Sequence, residues 1–291
     1  MHDSDERPAG IEENSHEPET IHEEAEEVSV SQATRLSARL IYEVIRRDGD
    51  EELSRPALSL VWSGLAAGIL MSLSVVAQAV LHLHLPDVTW APIIESAGYS
   101  IGFLIVILGR MQLFTENTIT TVLPVISRRS MWCLKRTSRL WIIVLTANLL
   151  GTAAAAGFLS LPGVMADGLT ASLIEVAQHA VEGDAWTNFK RSIPAGVLVA
   201  AIVWIMPSAG GNSFFVIFSL TWLMAAAGLA HIVAGSVELS LLVLNGDVGA
   251  IDGFWDFLLP VLAGNIVGGT VVFTLLAWGQ VKLEVAQGED V

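Results

Sequence analysis

His231 stands in AAAGLAHIVAGSVE (225–238), a stretch with no other ionisable residue until Glu238, with Gly228 three residues before it and Gly235 four after. An imidazole has an unperturbed pKa of about 6.5, so it can gain or lose a proton near neutral pH. The flanking glycines allow the chain to leave helical geometry beside it. A second such place is LFTEN (Leu113–Asn117), preceded by Arg110 and followed by Pro124. Thr115, Glu116 and Asn117 compete with helical hydrogen bonding, which predicts an interruption here with freed amides or carbonyls. Together these residues offer hydrogen bonds and proton exchange to a small solute. Bond-breaking chemistry needs convergent ligands or a nucleophile beside a base. The sequence has one deep histidine, one cysteine (Cys133) and no such motif, so no catalytic residue, metal or cofactor is expected. His82 and His84, two residues apart, do not share a helix face and predict interfacial packing.

The elements that must position these residues are membrane helices. Of the 291 residues, 53% are hydrophobic and 15% charged, where a soluble domain carries about 25% charged. Ala57–Pro86 contains no Asp, Glu, Lys or Arg, and about 20 apolar residues cross a hydrocarbon core. Residues 96–127 form a second apolar region, interrupted by Arg110 and Glu116. Leu140–Ala166, Ser192–Val237 and Phe257–Val281 are uncharged. PSAGGNS (Pro207–Ser213) divides the fourth of these regions into two crossings. Six spans result, the second and fifth broken. Ionisable groups inside a membrane cost about 2.5–3.5 kcal/mol each on insertion scales, which points to function for Arg110, Glu116, His231 and Glu238. The alternatives are a helix end near an interface for the first pair and a packing histidine for His231.

Eleven acids and one arginine occupy residues 1–27, giving −10 of the net −15. Residues 1–30 therefore read as a disordered acidic tail, and the first hydrophobic helix is expected to direct insertion, since no cleavable leader is visible. Residues 31–53 read as an amphipathic surface helix, 54–283 as the transmembrane domain and 284–291 as a C-terminal tail. Arg128, Arg129, Lys135, Arg136 and Arg139 crowd the loop between spans two and three, whereas 87–95, 162–189 and 246–256 contain no Lys or Arg. Positive loops stay inside, which places both termini in the cytoplasm. ANLLGTAAAA (147–156) is similar to GNIVGGTVVF (264–273), with Asn148 matching Asn265 and Gly151 matching Gly268, 117 residues apart. A repeat of three spans is inverted in the membrane, a recurrent transporter architecture.

LFTEN, NLLG, GLAHIVAGS and GNIVGG, in this order across roughly residues 55–283, resemble the formate/nitrite transporter family, and within it the YfdC-like branch. The resemblance implies an all-α, aquaporin-like fold of six transmembrane helices in two inverted three-helix repeats. Helices two and five are broken, and the assembly is a homopentamer with one pore per protomer. It implies that Thr115 is the pore threonine and His231 the central pore histidine, with Leu113 and Phe114 at a hydrophobic constriction and Asn117 in the same motif. Cargo would be a small monovalent anion or its weak acid, such as formate or nitrite, and the location a bacterial or archaeal inner membrane. Two departures bear on cargo. Alignment through Trp204 places Gly196 where formate-carrying members have an asparagine facing the histidine, and Glu116 follows the threonine directly.

An ionised glutamate at a narrow point repels an anion by about 4 kcal/mol at 4 Å and an effective dielectric of 20. Either Arg110 neutralises Glu116 or Glu238, or one glutamate is protonated, or the cargo is not a simple anion. The leading expectation is a passive or proton-coupled pore for a small anion or weak acid. A pore of the same fold for a neutral or cationic solute is the alternative, as is a non-conducting scaffold or sensor using the acidic tail. Expected partners are lipid, the solute and other copies of the chain, with no nucleic acid.

Overall fold

The structure, a computed structural model, describes residues 36–166 and 168–289, with side chains to position 285. The chain divides into two units, Met1–Ser37 and Ala38–Val291, and the second is described below. The acidic segment 1–30 lies outside the described residues. Those described are helical, joined by turns, with no strand among them.

Helix α1, Ala38–Ser54, buries Ile41, Tyr42, Ile45 and Leu53 along one face. Its polar face is held by Arg46, which binds Glu43 at 2.7 Å and Asp50 at 2.9 Å. The hydrogen bond from Arg46 keeps the Glu43 carboxyl down at about 2. Burial raises the Asp48 carboxyl above its usual range, against the pull of Arg110. Arg128 reaches Asp50 at 2.6 Å, tying α1 to the end of the bundle where the basic residues cluster.

Helix α2, Ala57–His84, has 28 residues, roughly 42 Å at 1.5 Å per residue. The chain then turns through Ala91–Glu95 and a 3₁₀ turn, Ser96–Tyr99, into α3, Ser100–Leu108. After an irregular stretch it resumes at Asn117–Thr120 and continues as α4, Val122–Arg128. Helix α5, Met131–Leu159, is capped by Ser130, whose hydroxyl accepts from Trp132 N at 3.2 Å. Helices α6, Leu169–Val181, and α7, Ala185–Ala209, follow. At Gly210–Asn212 the chain turns into α8, Ser213–Ala226, which packs back on α7. Helix α9 is Ile232–Asn245. The last helical run contains α10, Leu259–Ile266, a π-helical segment, Val267–Thr274, and α11, Leu275–Glu289, which continues past the expected boundary at 284.

Five helical stretches among the described residues are long and apolar enough to cross a membrane: Ala57–His84, Ala91–Leu108, Met131–Leu159, Ala185–Ala226 and Ala250–Val285. Ile232–Asn245 is apolar but shorter. Large apolar side chains face outward along these helices, among them Trp62, Ile142, Phe215 and Leu276. Polar groups such as Asn148, Thr115, His231, Asn265 and Glu238 are buried. That inversion suits lipid or a neighbouring subunit on the outside.

Candidate functional site

Two helix ends of matching geometry precede LFTEN and His231. Helix α3 ends with Met111 N donating to Val106 O at 3.0 Å and Arg110 at φ 52°. Helix α8 ends with Leu229 N donating to Met224 O at 3.0 Å and Gly228 at φ 61°. The left-handed residue that stops each helix is glycine in one case and arginine in the other, where it costs roughly 1–2 kcal/mol.

Each irregular stretch is held by one asparagine. Asn148, on α5, accepts from Phe114 N at 2.9 Å and donates to Gln112 O and Gly64 O, both at 2.8 Å. Asn265, on α10, accepts from Ile232 N at 2.8 Å and donates to Ala230 O at 3.0 Å and Ser192 O at 2.8 Å. The primary amide is the side chain that supplies one acceptor and two donors at one point. It thereby satisfies backbone groups that the interruption would otherwise leave orphaned in the core. Close helix contact makes this reach possible. A Cβ on Gly68 would enter the backbone of Asn148, and one on Gly196 would enter that of Asn265. The missing side chain of Gly196 is what lets α7 lie against α10.

Between the two stretches, Thr115 Oγ1 and His231 Nε2 stand 2.7 Å apart, both residues buried. His231 is also the N-cap of α9, where Nδ1 accepts from Ala234 N at 3.3 Å. A backbone N–H can only donate, so Nδ1 carries no proton and Nε2–H donates to Thr115. No acceptor for the Thr115 hydroxyl hydrogen is present among the described residues. Phe103 sets its ring against His231, with centroids 5.0 Å apart. Leu113 and Phe114 are buried beside the threonine, and the Phe114 ring lies edge-to-face with Trp141 at 5.5 Å.

A cavity opens on each side of this contact. One, about 260 Å³, reaches His231 and is also lined by Gln78, Tyr99, Arg191 and Glu238. The other, about 520 Å³, is lined by α1 residues Asp48, Glu51 and Glu52 together with Arg110, Glu116 and Asn117. Asn117 donates to Gln112 Oε1 and Leu113 O, both at 3.1 Å, and Gln112 donates to Glu52 at 2.8 Å. Arg110 lines the larger cavity with Glu116. It is exposed and, among the described residues, forms no ion pair with Glu116 or Glu238. The backbone reversal at Arg110 carries it to the rim of the larger cavity. Glu116 Oε1 is buried without a hydrogen-bond partner, and Glu238 faces the smaller cavity.

Sequence reasoning missed three features. Asn148 and Asn265 were visible only as repeat markers, and their matched position beside the two interruptions was the available signal. Arg191 escaped because the uncharged run begins one residue later, at Ser192, although the helix begins at Ala185. His82 joins Glu95 and Glu175, each at 2.9 Å, a bridge its position near a span end did not foretell.

The sequence profile of the family described as Formate/nitrite transporter matches residues 39–279. The inner membrane protein YfdC of Escherichia coli (strain K12) is 40% identical over 245 residues, covering 84% of this chain and 79% of its own. A solved structure described as an FNT family ion channel superposes with a TM-score of 0.73 at 21% identity, covering 82% of this chain and 98% of that one. A pentameric formate channel with formate bound superposes with a TM-score of 0.64 at 21% identity, over 76% and 96% of the two chains. A match over most of the length, together with this fold, makes the chain a member of the formate/nitrite transporter family.

Proposed function

We propose that the chain forms a pore that passes small monovalent weak acids of the formate and nitrite type. It crosses the membrane six times as two inverted repeats. The second crossing is α3 with the Asn117–Arg128 segment, and the fifth is α8 with α9. The paired asparagine contacts and paired left-handed residues support the repeat. Residues 54–283 make up this pore domain, α1 lies along the surface, and both termini are cytoplasmic, as the Lys and Arg distribution favours. The description of YfdC supports an inner-membrane location, and the pentameric neighbour supports assembly of five copies.

The observation that carries the reading is the 2.7 Å contact between Thr115 and His231, where two interrupted helices meet between two cavities. An arriving acid accepts a hydrogen bond from the Thr115 hydroxyl, which His231 polarises by donating to its oxygen. A bare carboxylate would be too costly to bring past Leu113 and Phe103, because burial of an unpaired charge costs many kcal/mol. The solute therefore passes as its neutral acid, accompanied by one proton. Purified protein in proteoliposomes should take up labelled formate faster at acidic outside pH. His231→Phe should cut that rate by roughly tenfold, the worth of one hydrogen bond of about 1.4 kcal/mol. An unchanged rate and pH profile would remove His231 from the mechanism.

A second reading keeps the pore and changes the cargo to a neutral or cationic solute. It is favoured by the partnerless Glu116 oxygen and the carboxylates of Asp48, Glu51 and Glu52 around the larger cavity. In the same vesicles, competition by ammonium or urea but not by nitrite would select it.

A further inference from the structure

The smaller cavity holds polar groups that the Thr115–His231 contact does not use. Arg191, on α7, has its Nη2 anchored by Ala180 O at 3.1 Å, Glu182 O at 2.8 Å and Asn188 Oδ1 at 2.7 Å. That anchoring fixes the guanidinium plane, while its Nε–H is buried with no acceptor. Gln78, on α2, has a buried Oε1 with no donor. Glu238, on α9, is 4% exposed; among the described residues no hydrogen bond or ion pair reaches its carboxyl. Arg191 and Glu238 line one cavity yet stand farther apart than an ion pair. Buried polar groups left without partners are costly in a folded protein; two of them, Gln78 Oε1 and Arg191 Nε, line this cavity from two helices, with the Glu238 carboxyl on a third. The space between them accommodates a small planar solute in about 260 Å³, where one water occupies about 30 Å³ of liquid volume.

We propose that Arg191 and Glu238 form a docking and proton-exchange pair for the solute, with Arg191 receiving the carboxylate and Glu238 supplying the proton. Nε–H of Arg191 donates to one solute oxygen. The O–H bond of the Glu238 carboxyl breaks, and its proton bonds to the other solute oxygen. Glu238 is left as a carboxylate opposite Arg191, and the neutral acid moves on to Thr115. A proton taken from the outside solution and relayed by water of the same cavity restores the Glu238 O–H, so one proton crosses with each anion. His231 is poorly placed for this exchange, since its Nε2–H is given to Thr115 and its Nδ1 holds Ala234 N. The other titratable groups around the cavity are His82 on α2, Glu95 on the Ala91–Glu95 turn, Tyr99 beside it and His179 on α6. The α5 stretch from Leu140 onward adds none.

This pair rests on the weak-acid reading above, and the experiment separates the two. Full-length protein in proteoliposomes is given ¹⁴C-formate at outside pH 5 to 8, with an internal dye recording proton entry. Glu238→Gln keeps the shape but cannot exchange a proton; formate uptake should fall at least roughly tenfold and lose its pH dependence. Glu238→Asp should recover part of the rate and all of the pH dependence. Arg191→Lys should raise the half-saturating formate concentration severalfold with the maximal rate little changed. A wild-type rate and pH profile in Glu238→Gln overturns the proton role. Wild-type half-saturation in Arg191→Lys overturns the docking role, even if the glutamate variant fails to assemble. Wild-type vesicles that take up no formate at any pH overturn the weak-acid reading itself, and the pair falls with it.

Discussion

Thr115 and His231 share one hydrogen bond whose direction is set from outside the pair. Because Ala234 N–H occupies Nδ1 of the ring, the ring's only proton sits on Nε2 and is donated to the threonine. The hydroxyl thus accepts from the histidine and has its own hydrogen left for a solute. Thr115→Val keeps the volume and removes the hydroxyl. It should slow formate entry into proteoliposomes by roughly tenfold, and Thr115→Ser should not. Equal rates for the valine and serine variants would show that the hydroxyl hydrogen is not used. Glu238 and Arg191 show how residue type alone can be read only halfway. The glutamate stood out as a charge inside an apolar run, whereas the arginine sat at the edge of one. Only the helix boundary at Ala185 reveals that Arg191 lies well within α7.

At the scale of elements, Asn148 and Asn265 each join three segments through three hydrogen bonds. Replacing Asn148 by alanine orphans buried backbone groups and should cost about 2–4 kcal/mol. Asn265→Ala should cost a similar amount because its partners are equivalent. Thermal unfolding in detergent measures both. A loss confined to one of the two would argue that the matched contacts are not equivalent in weight. Irregular backbone separates α3 from Asn117–Thr120 and α8 from α9. LFTEN lies in the first of these stretches and Gly228 ends α8 at the second, whereas Gly235 sits inside α9. What could not be read was which side chain holds each interruption together, because that depends on the approach of α5 to α2 and of α10 to α7. The proximity comes from residues without side chains, Gly68 and Gly196.

For the whole molecule, outward apolar groups such as Trp62, Ile142 and Phe215 leave a broad nonpolar exterior, and the expected association is fivefold. Light scattering with the detergent contribution subtracted should return the mass of five copies of the 31.1 kDa chain. A monomer or dimer mass would exclude the pentamer. The helical class and the apolar stretches were evident from composition and charge-free runs. The described residues do not repeat that segmentation directly. Ala185–Ala226 registers as one stretch of 42 residues although it turns at Gly210, and Ile232–Asn245 is too short to register by itself. In the six-span proposal, the turn at Gly210 divides the long stretch into two crossings, and α8 with α9 makes the fifth.

The ring of His231, which the proposed route passes, also anchors the opening turn of α9. Anything that draws its nitrogen away, whether a proton or a passing acid, unpins that turn at the same instant. In the proposed pore, passage at His231 therefore also loosens the first turn of α9.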